Sequence, residues 1–432
     1  MAAKITCDVA VVGAGLAGLG AADLLVRAGL NAKVFEASSR VGGRVYTTRL
    51  PSGERFEEGA FSFSDVEATL VSYIDRFGLK AIPQSTIDKQ FKFGDIVGHF
   101  SDKGTFLVGP EKDIVLSQLL SYYLPKVPNN DTITFAQGLR QAGASDPAIS
   151  WLNLNTLVGI QGDGIETVSA LAVKQFMAQY NGATTFNTVQ GGNDMLPNAM
   201  GKWLNYRAIL NTPIQQILGQ QDSSYLLVSG NQQIVADAVI VAVPLAALQL
   251  INFDPPLPAD KYQAMTSVPY TSCSRMSIVA PPDIFGGIRG GVFATTDQPA
   301  GWFRDQTLFQ TNPLQNTVFD ISFSGPMARQ MDGMNNNSRK QAIIDGLRYF
   351  YPNISSQGMK AEFFSWDTTS WVKGGYSYFP PGTISLQSVL SRPEGGLHFA
   401  GEHTSDKYAS MNGALESGIR AAKEVLRTWE KA

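Results

Sequence analysis

The chain has few of the residues on which metal centres and disulfide-stabilised folds depend. Its 432 residues include three histidines and two cysteines, and none of them has the spacing of zinc ligands. Cys7 and Cys273 lie far apart, and Cys7 falls in an apolar run typical of a buried strand. We therefore expect neither a metal site nor a structural disulfide, a pattern that suits a reducing compartment.

Charge and long apolar runs are also scarce. Charged residues make up 16% of the chain and the formal net charge is -3, so we expect no nucleic-acid or membrane partner. No apolar run approaches the roughly 18 residues of a membrane-spanning helix, and no signal-like segment precedes the first strand. These features predict a cytoplasmic protein that acts on small molecules. They leave its oligomeric state open, a homodimer included.

Glycine, in contrast, is abundant, with 42 residues, and its first cluster has a defined context. The apolar run 5–12 leads into the glycine-rich segment 13–18, and a helical pattern continues to Arg27. A second apolar run, 32–35, ends at Glu36. This order predicts a strand–turn–helix–strand unit with the fingerprint of a dinucleotide-binding fold.

The three glycines of this segment have different tasks. Gly13 permits the tight turn, Gly15 lets the backbone approach a pyrophosphate, and Gly18 lets the helix pack closely on the strand. The N-terminus of the helix then presents free N–H groups to the phosphates. Glu36, twenty-three positions after Gly13, is placed to accept the ribose hydroxyls. The segment therefore predicts binding of an adenine dinucleotide.

A second cluster after Glu36 favours FAD over NAD. In the segment 40–44, Gly42 and Gly43 bring the backbone close to a ligand. Arg44 can reach a pyrophosphate oxygen with a charge-assisted hydrogen bond. The cofactor expected from these residues is FAD.

The rest of the chain predicts an α/β protein with a Rossmann-like FAD-binding domain built from three chain segments. The predicted elements are a helix at 64–77, a hairpin at 225–236, strands at 238–243 and 397–400, and a helix at 411–429. We assign 1–80, 186–265 and 366–432 to the FAD-binding domain, and 81–185 and 266–365 to an inserted α+β substrate domain.

Motifs spread along the whole chain resemble the flavin-containing amine oxidases, a family that includes monoamine, polyamine and L-amino acid oxidases. The matching segments, in the family's order, are 11–19, 35–37, 40–44, 58–60, 168–171, 191–197, 241–244, 374–382, 399–405 and 411–414. The most specific is the closing block from 399 to 414.

The resemblance implies noncovalent FAD held at both ends. Gly59 and Ala60 would lie beside the flavin ring, and Ile214 would contact the adenine through its backbone. Glu402 would lie near the ribityl–pyrophosphate region. The N–H of Met411, at the start of the last helix, would face the flavin C2 carbonyl and favour an anionic reduced flavin.

Two further positions concern the flavin itself. Some relatives attach FAD through a cysteine just before a tyrosine of the closing Gly-Gly segment, where this chain has Gly375. A covalent link at that position is therefore excluded. Trp366 is expected on the cofactor side of the site.

The family removes a hydride from the carbon that bears an amine, giving an imine, and the reduced flavin is reoxidised by O2 to give H2O2. Typical members flank the substrate nitrogen with two aromatic side chains. Tyr376 matches the first, whereas Ser410 stands at the second, with Tyr408 two residues away as a substitute. Phe61 and Phe63 are expected to line the substrate pocket.

A second departure concerns a lysine that typically bridges through water to the flavin N5. An ungapped alignment places Arg275 there, and an arginine cannot lose its proton as a buried lysine can. Arg275 could still stabilise an anionic reduced flavin.

The carboxylate clamp of L-amino acid oxidases is also absent, since the segment 59–63 contains no arginine. This favours an amine without an adjacent carboxylate, or a carboxylate bound elsewhere, Arg275 included.

The leading interpretation is an amine oxidase that produces H2O2. The alternatives are an L-amino acid oxidase, a desaturase, a flavin amine dehydrogenase that uses another electron acceptor, and a flavoprotein with a binding role only.

Overall fold

The structure, a computed structural model, describes residues 4–84, 88–157, 159–281, 292–298, 301–310 and 316–429. Within these ranges no helix is long and apolar enough to cross a bilayer. The strands are β1 Lys4–Val12, β2 Ala32–Phe35, β3 Thr47–Arg49, β4 Arg55–Glu57, β5 Phe63–Ser64, β6 Ala81–Pro83, β7 Asp88–Phe93, β8 Ile96–His99, β9 Phe186–Val189, β10 Ala208–Ile209, β11 Gln216–Gly219, β12 Tyr225–Ser229, β13 Gln232–Val241, β14 Asn252–Asp254, β15 Cys273–Ala280, β16 Val292–Thr296, β17 Trp302–Asp305, β18 Thr317–Ser324, β19 Lys360–Ser365 and β20 Leu397–Phe399.

The helices connect these strands and cover the sheets. They are α1 Leu16–Arg27, α2 Ala68–Arg76, α3 Leu119–Tyr123, α4 Phe135–Gln141, α5 Asp146–Asn155, α6 Ala170–Ala178, α7 Met195–Leu204, α8 Leu245–Leu248, α9 Ala259–Ser267, α10 Gly325–Asp332, α11 Asn336–Leu347, α12 Leu386–Ser391 and α13 Met411–Trp429. The mixture of both element types confirms the expected α/β class.

The first sheet joins strands from three separate parts of the chain. Its order is β10-β2-β1-β13-β12-β11-β14, and β20 pairs with β13. The pairs β1–β2, β1–β13 and β13–β20 are parallel. These strands lie within 4–35, 208–254 and 397–399, each inside one of the three predicted segments, although the domain boundaries themselves stay a prediction.

Successive side chains of β1 point to opposite faces of this sheet, and each face is covered by its own hydrophobic core. Val9 and Val11 pack with α1 and α13, whereas Ala10 and Val12 pack with the core on the opposite face. Because successive side chains of a strand point to opposite faces, an apolar strand of this kind must be covered on both sides.

The second sheet has the order β19-β15-β18-β17-β16-β7-β8 and is antiparallel except for β7–β16. One of its faces packs against α10 and α11 through side chains such as Met276, Ile321 and Ile344. The other face carries polar side chains, among them Arg275.

Several elements differ from their sequence prediction in extent. Helix α13 has the predicted bounds, but β13 runs unbroken through the two predicted strands at 233–236 and 238–243. Helix α2 begins only at Ala68, because Ser64 belongs to β5 and its N–H donates to the Glu67 carboxylate.

Candidate active site

The glycine turn connects β1 to α1, and its glycines differ in whether a side chain would fit at their position. Gly13 has a φ of +101°, and its N–H donates to the Phe35 carbonyl at 2.8 Å. A β-carbon on Gly18 would overlap the Gly13 carbonyl oxygen, whereas one on Gly15 would meet nothing within 4 Å. Gly18 thus allows helix and strand to pack, while Gly15 borders empty space.

Glu36 follows β2 at the same edge of the sheet. Its Oε2 accepts the Ala14 N–H at 2.7 Å and its Oε1 accepts the Ser38 N–H at 2.8 Å. These bonds hold the carboxylate beside the start of α1. That helix has no side-chain cap and no acidic residue in its first turn, so its free N–H groups suit an anion.

A cavity of about 650 Å³ begins at this turn and reaches the polar face of the second sheet. Both sheets contribute to its wall. The predicted site residues that line it are Gly13, Gly15, Glu36, Gly43, Arg44, Gly59, Ala60, Phe61, Ile214, Arg275, Trp366, Tyr376, Glu402, Ser410 and Met411.

Arg44 and Glu402 join the two ends of the chain within the cavity wall. The Arg44 Nη1 lies 2.8 Å from the Glu402 Oε1. Glu402 also accepts the Ser377 hydroxyl at 2.6 Å and the Ala409 N–H at 2.8 Å. Burial opposes ionisation of Glu402, but Arg44 and these donors outweigh it and hold its pKa below the ordinary value. The carboxylate is therefore ionised and fixed in place.

The start of α13 also faces the cavity. The Ser410 hydroxyl accepts the Gly413 N–H at 2.9 Å, which makes Ser410 the N-cap of this helix. The first N–H groups of a helix have no acceptor within it, and the first turn of α13 has no acidic residue. The positive end of the α13 dipole, at Met411, thus borders the cavity.

Two predicted pocket residues do not line the cavity. Phe63 is 1% exposed, because pairing of β5 with β9 turns it into the core beside Leu70 and Ile74. Tyr408 is fully buried, and its hydroxyl donates to the Ala172 carbonyl at 2.9 Å. Tyr408 therefore cannot replace the missing second aromatic side chain, and both assignments to the pocket are wrong.

Arg275 is held on β15 by three groups. Its Nη2 donates to the Gly59 carbonyl at 3.0 Å, and its Nη1 contacts the Ser322 hydroxyl and lies 3.4 Å from the Asp320 carboxylate. Its guanidinium carbon lies 4.9 Å from the centre of the Phe61 ring. Gly59 is therefore held in the cavity wall by Arg275.

Tyr376 also lines the cavity, and its hydroxyl is held by a hydrogen bond. The hydroxyl donates to the Ile160 carbonyl at 2.7 Å, and burial raises the pKa of Tyr376 well above its ordinary value. A side chain at Gly375 would overlap the Cys273 sulfur, so the fold requires glycine there. Burial also raises the pKa of the Cys273 thiol to about 12.

The sequence-based prediction missed Trp302 and Arg304, which line the cavity from β17. The signal for them is weak, because β17 has only four residues in which these two alternate with buried Phe303 and Asp305. Their distance in sequence from every recognised motif explains why they were missed.

The groups around the cavity fit an anionic ligand shaped like a dinucleotide. Gly15 leaves room for it, two helix N-termini point toward it, and Glu36 offers hydroxyl acceptors. Within the described ranges, no group of three or more His, Cys, Asp or Glu side chains could hold a metal ion.

Comparison with known proteins identifies the family. The family described as flavin containing amine oxidoreductase matches residues 16–426. An L-amino-acid oxidase of Siganus canaliculatus is 25% identical and covers 96% of this chain and 85% of its own length. An L-amino acid dehydrogenase of Synechocystis sp. is 24% identical, and the match covers 99% of this chain and 96% of that protein.

A solved structure has the same fold. A triple mutant of putrescine oxidase, from work on redesign of cofactor binding, superimposes with a TM-score of 0.85 at 22% identity. The match covers 99% of this chain and 100% of that one. Since the family match spans most of the chain and the site has the expected glycine turn, this protein belongs to the flavin-containing amine oxidoreductases and is an oxidoreductase that acts on amines.

Proposed function

We propose that the protein binds FAD noncovalently and oxidises an amine to an imine, with O2 reduced to H2O2. The imine then hydrolyses to an aldehyde or ketone. The observation that carries this proposal is a continuous cavity, which extends from the glycine turn and Glu36 to Arg275 and Tyr376.

The residues at the two ends of the cavity have separate tasks in this proposal. Glu36 and the start of α1 bind the adenosine and pyrophosphate, and the start of α13 at Met411 stabilises negative charge on the reduced ring. When bound, the flavin supplies the acceptor for the hydride and for the transfer of electrons to O2.

The substrate end is asymmetric. Tyr376 offers one aromatic ring to the amine, and its neutral phenol does not exchange protons near neutral pH because its pKa is raised. Ser410 offers no second ring. Arg275 is a fixed cation that can stabilise developing negative charge but cannot accept a proton.

A flavin dehydrogenase with another electron acceptor is the second candidate. It is favoured by Arg275, whose guanidinium is engaged by Gly59, Ser322 and Asp320. A water-linked lysine at this position would instead offer a group able to lose a proton.

Anaerobic reduction of the purified yellow protein by a panel of amines and L-amino acids, followed by admission of air, tests both candidates. Rapid bleaching and rapid recovery of the flavin colour are expected for the oxidase, with one H2O2 per turnover. Slow recovery would favour the dehydrogenase, and Arg275→Lys should then speed it. If no substrate bleaches the flavin, both enzymatic proposals fail.

A further inference from the structure

Four carboxylic acids of the described residues line the cavity, and three of them are already engaged. Glu36 is held by two backbone N–H groups at the glycine turn. Glu402 and the exposed Asp163 each pair with an arginine. The fourth acid, Glu67, is 4% exposed and has no such partner.

Glu67 lies immediately before α2 and borders the cavity with one of its two oxygens. Its Oε2 accepts the Ser64 N–H at 2.5 Å, whereas its Oε1 remains accessible. This hydrogen bond joins Glu67 to the end of the segment whose residues 59–62 also line the cavity. The carboxylate is thus fixed by one oxygen and available through the other.

The start of α13 lies against the same part of α2. The Leu70 N–H donates to the Asn412 Oδ1 at 3.0 Å, which ties the two helices together. Ser410, which borders the amine in the proposed function, immediately precedes α13 and lines the cavity. Glu67 therefore lies at the junction that bounds the amine on this side.

The carboxylate of Glu67 has no counter-ion of its own. Lys407, whose charge acts on it, pairs with Glu416 at 2.8 Å, and no ion pair of the described residues includes Glu67. Asp65 is exposed, and burial raises the pKa of Tyr180, so that its phenol stays neutral beside this acid. Burial also raises the pKa of Glu67, since the neighbouring N–H groups and Lys407 offset only part of the desolvation. A buried carboxylate without a counter-ion favours the binding of a cation.

Apart from carboxylates, the described cavity wall has no group that could accept a proton near neutral pH. It contains no lysine or histidine. Burial raises the pKa of the Cys273 thiol to about 12 and that of Tyr376 further, so both keep their protons. Arg275 is always charged. An alkylamine, in contrast, reaches the cavity as an ammonium ion, since its pKa is roughly 10, as in lysine.

We propose that Glu67 holds the ammonium group of the substrate and accepts the proton that this group loses before its carbon is oxidised. This inference rests on the proposed function and adds a catalytic residue to it. One N–H bond of the ammonium breaks and one O–H bond forms on Glu67, which leaves a neutral amine and a neutral carboxylic acid. The electron pair freed on nitrogen is the one that the forming C=N bond requires, and the acid later returns its proton to water.

The pH dependence of anaerobic flavin reduction tests this step in the FAD-loaded protein. Glu67→Gln keeps the shape of the side chain but removes the proton acceptor. At pH 7 it should lower kcat/KM for reduction by an amine roughly 10²–10⁴-fold, the usual contribution of general acid–base catalysis. The difference should close near pH 10.5, because the amine is then largely neutral in water.

Two further variants separate proton transfer from structural damage. Glu416→Gln is the matched control, because Glu416 interacts with the same Lys407 but does not line the cavity. It should leave the rate at pH 7 unchanged. Glu67→Asp retains a carboxylate on a shorter side chain and should keep part of the rate at neutral pH. A loss in Glu67→Gln that is equally large at pH 7 and at pH 10.5 would overturn the proposal.

Binding of an inert amine gives a readout without turnover. tert-Butylamine has no hydrogen on the carbon that bears its nitrogen, so it cannot be oxidised to an imine, and tert-butanol is its neutral counterpart. In titration calorimetry at pH 7, Glu67→Gln should weaken tert-butylamine binding roughly tenfold to a hundredfold, the loss expected for a hydrogen bond between charged groups. The binding of tert-butanol should not change.

The two measurements distinguish this inference from the proposed function. If amines reduce the flavin equally fast at pH 7 in the unmodified protein and in Glu67→Gln, the proposed function stands and the inference is wrong. If no amine reduces the flavin but tert-butylamine binding depends on Glu67, the ammonium site stands and the proposed function fails. Equal affinity of tert-butylamine for both proteins overturns the inference as well.

Discussion

Gly15 and Gly18 are three residues apart, the first at the end of the glycine turn and the second in α1, and they have different neighbours. A β-carbon at Gly15 would enter the cavity, whereas one at Gly18 would overlap the Gly13 carbonyl. Gly15→Ala should therefore weaken FAD binding at least tenfold while the apoprotein keeps its melting temperature. Gly18→Ala should destabilise the apoprotein itself, by about 1–3 kcal/mol, because strand and helix must separate.

Flavin titration and thermal unfolding of both apoproteins measure the two effects separately. The assignment of Gly15 to the cofactor would be wrong if its alanine variant bound FAD with unchanged affinity. For Gly18, an apoprotein as stable as the unmodified one would contradict the packing role.

Residues that belong to a motif can be placed at the cavity from the sequence, because the motif fixes both their backbone and their neighbours, although their roles stay a prediction. Glu36, Arg44 and Met411 are of this kind, and all three line the cavity. Phe63 and Tyr408 were chosen for their aromatic character near a motif. Only the tertiary structure determines which face of a chain such side chains take, and both point into the core.

At the scale of elements, the contact between α1 and α13 joins the beginning of the chain to its end. The sequence predicts both helices, and the apolar residues of α13 at three- and four-residue steps predict a buried stripe on Leu415, Ile419, Ala422, Leu426 and Trp429. Leu415, Gly418 and Val425 are buried in the structure, while Ile419 and Leu426 are half-buried. A small residue at a close helix crossing has no apolar signal, so the pattern alone could not find Gly418.

Gly418→Ala tests this crossing. Its β-carbon would overlap the Ala17 carbonyl, and α13 would have to shift away from α1. We expect a loss of about 1–3 kcal/mol in stability together with weaker FAD binding, because both helices present their N-termini to the cavity.

The matched control is Gly333→Ala at the end of α10, where the nearest atoms lie 3.6 Å from the added carbon and the backbone is right-handed. This variant should be neutral or stabilised by about 0.4–1 kcal/mol. Differential scanning calorimetry measures both variants, and equal melting temperatures would refute the close crossing.

For the whole molecule, the second sheet shows where sequence-based prediction reaches its limit. The strands that carry Arg275 and Arg304 are brought together only by non-local pairing with β18. No local pattern encodes that the two arginines share Asp320. The segments that form the first sheet, in contrast, contain a glycine turn that is recognisable from the local sequence.

The stability of the whole molecule should also depend on pH through a buried histidine. His403 is 2% exposed, and its Nδ1 lies 3.2 Å from the Tyr270 hydroxyl. Burial lowers the pKa of His403 to about 4; Glu402 opposes this shift, while Arg44, Arg420 and Lys261 add to it. The unfolded chain, with an ordinary histidine pKa of about 6.5, therefore binds the proton more tightly than the folded protein.

The free energy of unfolding therefore decreases as the pH falls from 6.5 toward 4. His403 alone accounts for a loss of about 3 kcal/mol. The lowered pKa of Glu402 adds a loss of the same sign at lower pH.

His403→Asn should reduce stability at pH 7.5, since it leaves space in the core, but should flatten the decline between pH 6.5 and pH 4.5. Melting temperatures of the apoprotein measured across this range, with the exposed-strand variant His99→Asn as control, decide the point. If the melting temperature of His403→Asn falls with pH as steeply as that of the control, other groups cause the acid sensitivity. His403, beside Arg44 and Glu402, would then be protonated in the folded protein without loss of the fold.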